Sequence, residues 1–202
     1  LAALLLGGAW GCIAALNKNS WVDYAVIATA TFGITVPNFV LAPLLALIFG
    51  VWLSWLPAGG WNGGTPANMV LPVIALALPQ VAVVARLIRG SMIEALRADH
   101  VRTARAYGLP TRMVVVTLAL RSACLPAVSY LGPAAAALLT GSIVIEQIFG
   151  LPGIGRYFVT GALNRDYTRV MGTVGVIAVF VVLFNLIVDI LYAALDPRVR
   201  YD

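Results

Sequence analysis

The chain has 202 residues, 61% hydrophobic and only 10% charged, and a soluble domain of this length could not hide so much apolar surface. Its formal charge of +5 does not point to nucleic acid, because six of the 13 basic residues (Arg86, Arg89, Arg97, Arg102, Arg105, Arg112) fall in one stretch between apolar segments. Such a concentration marks a cytoplasmic loop of a multi-pass membrane protein.

Five membrane segments are expected in chain order. The first, Leu1 to Leu16, is slightly short for a span and lacks the basic start of a signal peptide. Leu1 stands where an initiator Met would, so the expectation is a piece of a longer chain whose N-terminal part is missing. The second apolar stretch, Tyr24 to Leu56, would extend about 50 Å as one helix, against about 30 Å of hydrocarbon. Pro37 divides it, predicting an interfacial helix or kink at Ile34 to Asn38 and then a span from Val40 to Leu56. The third segment runs from Met69 to Leu87 and contains Pro72 and Pro79. The fourth, Met113 to Ile145, is long, and Pro126 and Pro133 are expected to bend it. The fifth is Val170 to Leu195. Placing the basic loop inside puts Lys18, Arg198 and Arg200 inside by alternation, and the uncharged turn Pro57 to Gly64 outside. Arg156, Arg165 and Arg169 then fall outside, against the charge rule. Trp21, Trp52, Trp55 and Trp61 lie near span ends, where an indole suits the interface.

The stretch from Glu94 to Pro110 is the main island of charge. Within it Ala98, Val101, Ala104 and Gly108 recur at steps of three and four, placing small and apolar groups on one helical face. Arg97, Arg102 and Arg105 take other faces, and Glu94 with Arg97 and Asp99 with Arg102 are spaced to pair. Gly108 and Pro110 end the helix. Small side chains admit another surface close to the backbone, and arginines can grip carboxylates with two bonds. On the residues alone, a partner-docking helix and a solvated loop that only fixes topology both remain open.

The run Val101-Arg-Thr-Ala-Arg-Ala-Tyr-Gly-Leu109 resembles the cytoplasmic loop, Glu-Ala-Ala-x3-Gly in its general form, of the permease subunits of ABC importers. Arg102 and Thr103 depart from the general pattern but follow the oligopeptide and dipeptide group, whereas Ala104 and Gly108 match it. Leu125-Pro126 stands where that group carries the closing Leu-Pro. Gly60-Trp-Asn-Gly-Gly64, Arg89-Gly-Ser-Met-Ile-Glu94, Gly150-Leu-Pro-Gly-Ile-Gly155, Ala162-Leu-Asn-Arg-Asp-Tyr167 and Asp189 to Arg198 extend the likeness over nearly the whole chain. Together they resemble the B-type permeases of oligopeptide importers. The resemblance implies an all-α polytopic bundle of the type I importer permease fold, one domain over 1–202 with a coupling loop at about 89–112, and a first span absent from this chain.

It further implies an ATP-driven oligopeptide importer in a bacterial cytoplasmic membrane, working by alternating access. The expected partners are a homologous second permease, two ATPase subunits, an extracytoplasmic peptide-binding protein and membrane lipid, with no nucleic acid. The ATPase-coupling residues are Asp99, Val101, Arg102, Thr103, Ala104, Arg105, Ala106, Gly108 and Leu109. A substrate path is expected along Pro133, Ala135, Gly141, Ser142 and Glu146, the last either meeting a peptide amino group or pairing with Arg156. Gly150, Pro152, Gly153, Gly155 and Arg156 form a periplasmic loop, either at the pore mouth or as an ordinary turn. A same-family importer of dipeptides, glutathione or nickel is the alternative.

Certain absences bound the chemistry. The only lysine, Lys18, follows Asn17, so no phosphate-binding Gly-x4-Gly-Lys loop exists; ATP and Mg are expected on partner ATPases and no cofactor on this chain. A single His100 excludes paired-His zinc motifs, and no metal site or catalytic residue is expected. Cys12 and Cys124 read as packing thiols. Charged residues at or near membrane depth (Arg86, Arg121, Glu146, Asp189) should face protein, a cavity or the interface, and Asp189 is expected to pair with a loop arginine. An intramembrane enzyme would need a nucleophile–base or paired-carboxylate set, which is not evident. A passive channel would have no use for the charged loop.

Overall fold

The computed structural model describes residues 2–195, which form helices and turns and no strand. Its elements are α1 (Ala2–Leu16), α2 (Trp21–Thr35), α3 (Asn38–Leu45), α4 (Pro66–Ala95), α5 (Asp99–Ala106), α6 (Thr111–Met113), α7 (Leu120–Ser129), α8 (Leu131–Phe149), α9 (Ile154–Leu163) and α10 (Tyr167–Leu195). Wider π-helical turns at Ala46–Trp52 and Val114–Ala119 continue α3 and join α6 to α7. Among the described residues four helices are long and apolar enough to cross a membrane: Pro66–Ala95, Thr111–Ser129, Leu131–Phe149 and Tyr167–Tyr192. The pair Trp21–Thr35 and Asn38–Trp52 makes a fifth if it is taken as one broken span. The tail 196–202, with Arg198 and Arg200, lies outside the described residues.

The prolines explain where the helices stop. Pro37 ends α2 and stands at the N-cap of α3 with extended backbone (φ −62°, ψ 144°), as the sequence predicts. The fourth apolar stretch is corrected: it is two helices meeting at Tyr130 rather than one span bent at Pro126 and Pro133. A proline disturbs the turn before it, because its ring meets the carbonyl four residues back. For Pro133 that residue is Ser129, where α7 ends, and Pro133 itself occupies the first turn of α8, where no N–H is needed. The third segment also runs further than expected. It continues to Ala95, so Arg86 and Arg89 stand on α4 and not in a loop.

Two compact units emerge, one of Leu1–Thr35, Gln80–Leu131 and the chain from Ile187, the other of Val36–Pro79 and Gly132–Leu186. In the first, α1 lies against α4 through Gly7, Gly11 and Ala15, one small residue per turn. A Cβ on Gly11 would fall 2.5 Å from the Ala85 carbonyl oxygen, and one on Gly7 2.7 Å from that of Val81, so the contact requires glycine. Ala15, Met92, Ala95, Ala119 and Ala123 pack together at the end of α4. Cys12 and Cys124 fill one apolar cluster with Val84, Ile88 and Ala127 as free thiols, as the sequence leads one to expect. Gln80 accepts a hydrogen bond from the Tyr130 hydroxyl at 2.9 Å. In the second unit, Ala42, Leu71, Ala75, Ile145 and Phe149 form the core. The Gly-Trp turn is fastened to the end of α8, since the Gly60 N–H donates to the Phe149 carbonyl at 2.7 Å.

Candidate functional site

Helix α5 is short and its chemistry is mostly on display. Asp99 occupies its first turn and Arg105 its last, each favourable for the helix dipole. Its end is closed by two backbone bonds: the Gly108 N–H donates to the Arg105 carbonyl (2.9 Å) and the Leu109 N–H to that of Ala104 (3.2 Å). This pattern requires a left-handed residue after the cap, which Gly108 supplies at φ +77°. The predicted stop is therefore built as expected, with the helix itself somewhat shorter than the charged run.

The face assignment is different. Val101 is fully buried and Ala104 nearly so, both against Val114 and Leu118 of the helix that follows. The small-residue face is thus consumed within the chain, because a short helix must cover its apolar stripe and the 111–119 turns lie beneath it. What α5 offers outward is Asp99, His100, Arg102, Thr103, Arg105, Ala106 and, just beyond it, Tyr107, Gly108 and Leu109. Tyr107 is 84% exposed, a large aromatic that the sequence reading passed over. Asp99 and Arg102 approach at 3.8 Å, both largely exposed, so screening leaves the pair weak and the arginine available. The spacing that predicted a Glu94–Arg97 pair fails because α4 ends at Ala95 between them, and among the described residues no such pair forms.

The second unit brings together the outer loop and part of the expected substrate path. Glu146 does not pair with Arg156. Its carboxylate accepts the Gly155 N–H at 2.8 Å and so caps the start of α9. Glycine is required at 155, where an added Cβ would fall 2.5 Å from the Ile143 Cα, while one at 153 would meet only the Glu146 carboxyl group, the movable end of a flexible side chain. Ser142 and Glu146 line a cleft of about 300 Å³ with Leu139, Ile143, Phe180 and Phe184. Positions 139, 142, 143 and 146 form one stripe of α8, which Ala135 continues by a turn and Pro133 does not. Gly141 lies on α8, but its surroundings are outside what the structure describes. Pro152, Gly153, Arg156, Tyr157, Thr160 and Arg169 line a larger open cleft of about 570 Å³. Asp166 caps α10 by accepting the Arg169 N–H at 3.0 Å and lies 3.5 Å from its guanidinium.

Asp189 is exposed on α10, and among the described residues it does not form the pair expected with a loop arginine. Arg121 is exposed on α7. The one fully buried carboxylate among the described residues is Asp23, which Arg89 grips with two hydrogen bonds (2.5 and 2.7 Å). The signal for it was two opposite charges flanking apolar segments, Asp23 just ahead of the second and Arg89 just past the third.

Comparison with known proteins gives the family. A family model described as binding-protein-dependent transport system inner membrane component matches residues 7–201. The chain is 52% identical over 199 residues to the oligopeptide transport system permease protein OppB of Haemophilus influenzae and, equally, to that of Escherichia coli K12, covering 98% of this chain. It is 45% identical over 198 residues to the dipeptide transport system permease protein DppB of Bacillus subtilis, again covering 98%. The chain spans 65% of the length of those oligopeptide relatives and 64% of the dipeptide relative. With a match across almost its entire length, the chain belongs to the family of binding-protein-dependent transport system inner membrane components.

Proposed function

We propose that this chain is the membrane-spanning permease part of an ATP-driven importer of oligopeptides, and that α5 is its coupling element. The observation that carries the reading is α5 itself. It is a charged helix anchored by Val101 and Ala104 and closed by Gly108, with the rest of its surface free for a soluble partner. ATP and its Mg are held by two partner ATPase subunits, a second permease completes the pore, and an extracytoplasmic binding protein delivers the peptide. Closure of the ATPases moves α5, and the spans carry that displacement to the pore. Only a partner that interacts differently with the two conformations can drive such a change.

Sidedness follows from the same helix. The loop 98–110 faces the cytoplasm and the loop 150–166 the opposite side, which requires 111–149 to cross the membrane once. Arg112 and Arg121, with the seat of α5 on Val114 and Leu118, place the start of this segment toward the cytoplasm. The cleft of Ser142 and Glu146 then lies toward the outer half of the path. Because Glu146 is engaged as a helix cap, its role is to hold the loop 150–155 in place, and a direct grip on the peptide terminus is not part of the proposal. Oligopeptides are favoured over dipeptides because identity is 52% to the oligopeptide permeases and 45% to the dipeptide one.

Site-directed cross-linking tests the docking directly. A cysteine at Ala106, in a background without Cys12 and Cys124, should form a cross-link to an ATPase subunit in the complete transporter. A cysteine at Val101 should not. Cross-linking from Val101 but not from Ala106 would reverse the assigned face and sink the docking geometry.

A further inference from the structure

Asp23 is fully buried at the start of α2, and both oxygens of its carboxylate accept hydrogen bonds. Arg89 donates from Nε to one oxygen (2.5 Å) and from Nη2 to the other (2.7 Å), and the Asn19 N–H donates to the second oxygen at 2.9 Å. Asn19 takes a left-handed backbone, φ +62°, so the α1–α2 turn is folded to aim that N–H at the carboxylate. Three charge-assisted bonds thus fasten the turn and α2 to α4. A second arginine one turn earlier, Arg86, reaches Thr31 of α2 at 3.3 Å.

A buried ion pair is a poor way to gain stability alone, since apolar side chains of the same volume do as well or better. A two-bond pair does favour one register between two helices, because a shift would leave buried charge unpaired. The position of this pair makes that register matter. Arg89 lies less than two turns before the end of α4, where Met92 and Ala95 pack with Ala15, Ala119 and Ala123. Ala119 belongs to the same π-helical turn as Val114 and Leu118, on which Val101 and Ala104 of α5 rest. A packed chain of contacts therefore runs from α5, through the 114–123 helix and the end of α4, to Arg89, Asp23 and α2.

We propose that the Asp23–Arg89 pair is a positioning element for energy coupling: it makes α2 move with α4 when α5 is displaced. The inference rests on the importer reading above and adds to it the residues that carry the displacement. The decisive readout is the amount of peptide taken up per ATP hydrolysed. A pair that only stabilises the fold would change the quantity of assembled transporter and leave that ratio alone.

The test uses the complete transporter in proteoliposomes, with peptide uptake and ATP hydrolysis measured per assembled complex. Asp23→Asn and Arg89→Lys each keep size and polarity while removing the two-bond grip. Each is expected to lower uptake per ATP by roughly 10-fold, while hydrolysis persists. An unchanged ratio in both would overturn the proposal. Should either variant fail to assemble, the paired change Asp23→Cys with Arg89→Cys, in a background lacking Cys12 and Cys124, decides the matter. Bridging the two thiols with a short bis-maleimide should restore the ratio, because linkage and not charge is what is required; failure to restore it in bridged, assembled complexes also overturns the proposal. The wild-type transporter separates this inference from the reading beneath it, because absence of ATP-dependent peptide uptake there would reject the importer assignment itself.

Discussion

Gly108 closes α5 at φ +77°, and a Cβ placed on it would meet, its chain neighbours aside, no atom of the described residues within 4 Å. Replacing it by alanine therefore tests the backbone alone. A left-handed non-glycine residue costs about 1–2 kcal/mol, which lowers the population of the closed helix end about 5- to 30-fold. Asparagine tolerates this conformation better, so Gly108→Asn should cost less than Gly108→Ala, and β-branched Gly108→Val more. Hydrogen exchange at the amides of residues 108 and 109, which close the helix on Arg105 and Ala104, reports the opening directly. The expected order of exchange rates is Val, Ala, Asn, then wild type, and peptide uptake should fall in the same order. If Asn impairs uptake more than Ala while exchange follows the expected order, close approach of a partner governs the position. If Ala exchanges and transports like wild type, the backbone argument is refuted.

Three further outcomes are expected. Gly11→Ala sets a Cβ 2.5 Å from the Ala85 carbonyl oxygen, whereas Gly8→Ala makes an ordinary contact at 3.6 Å with Ile88; by overpacking, the first should cost about 1–3 kcal/mol in denaturant titrations of the purified protein, and the second should not. Glu146→Ala removes the cap from α9, so the segment 150–163 should exchange faster by an amount equivalent to about 0.5–2 kcal/mol, with Glu146→Gln intermediate; equal protection in all three would show that the carboxylate does not hold the loop. A cysteine replacing the exposed Thr160, with Cys12 and Cys124 removed, should be labelled by a membrane-impermeant maleimide from outside intact cells. Labelling only after the inner membrane is opened would mean that 111–149 crosses twice.

Much of the helical order was readable because its causes are local. Pro37 breaks the second apolar stretch wherever that stretch is placed, and Gly108 before Leu109-Pro110 ends a helix by backbone geometry alone. What escaped depends on residues far apart or on groups without a side-chain signature. Periodicity marked the Val101–Ala104 face but could not say that Val114 and Leu118 would cover it. Asp23 and Arg89 meet across 66 positions. A peptide amino group and Arg156 were the two partners open to Glu146, yet a backbone N–H at Gly155 takes the carboxylate, and every residue except proline carries such a donor. Pro133 was seen as a bend, but its effect falls one turn upstream, at Ser129 and Tyr130.

Under the proposed function, this chain and its partners move peptides at the expense of ATP through a displacement of α5. Reconstitution of the complete transporter, with labelled peptides and the binding protein on one side and ATP on the other, measures it most directly. Wild type should accumulate peptides of several residues only when hydrolysable ATP is present, and Ala106→Trp, which alters an exposed and unstrained position of α5, should abolish both uptake and its stimulation of ATP hydrolysis. Peptide entry that proceeds without ATP, or uptake undiminished by Ala106→Trp in assembled complexes, would contradict the account.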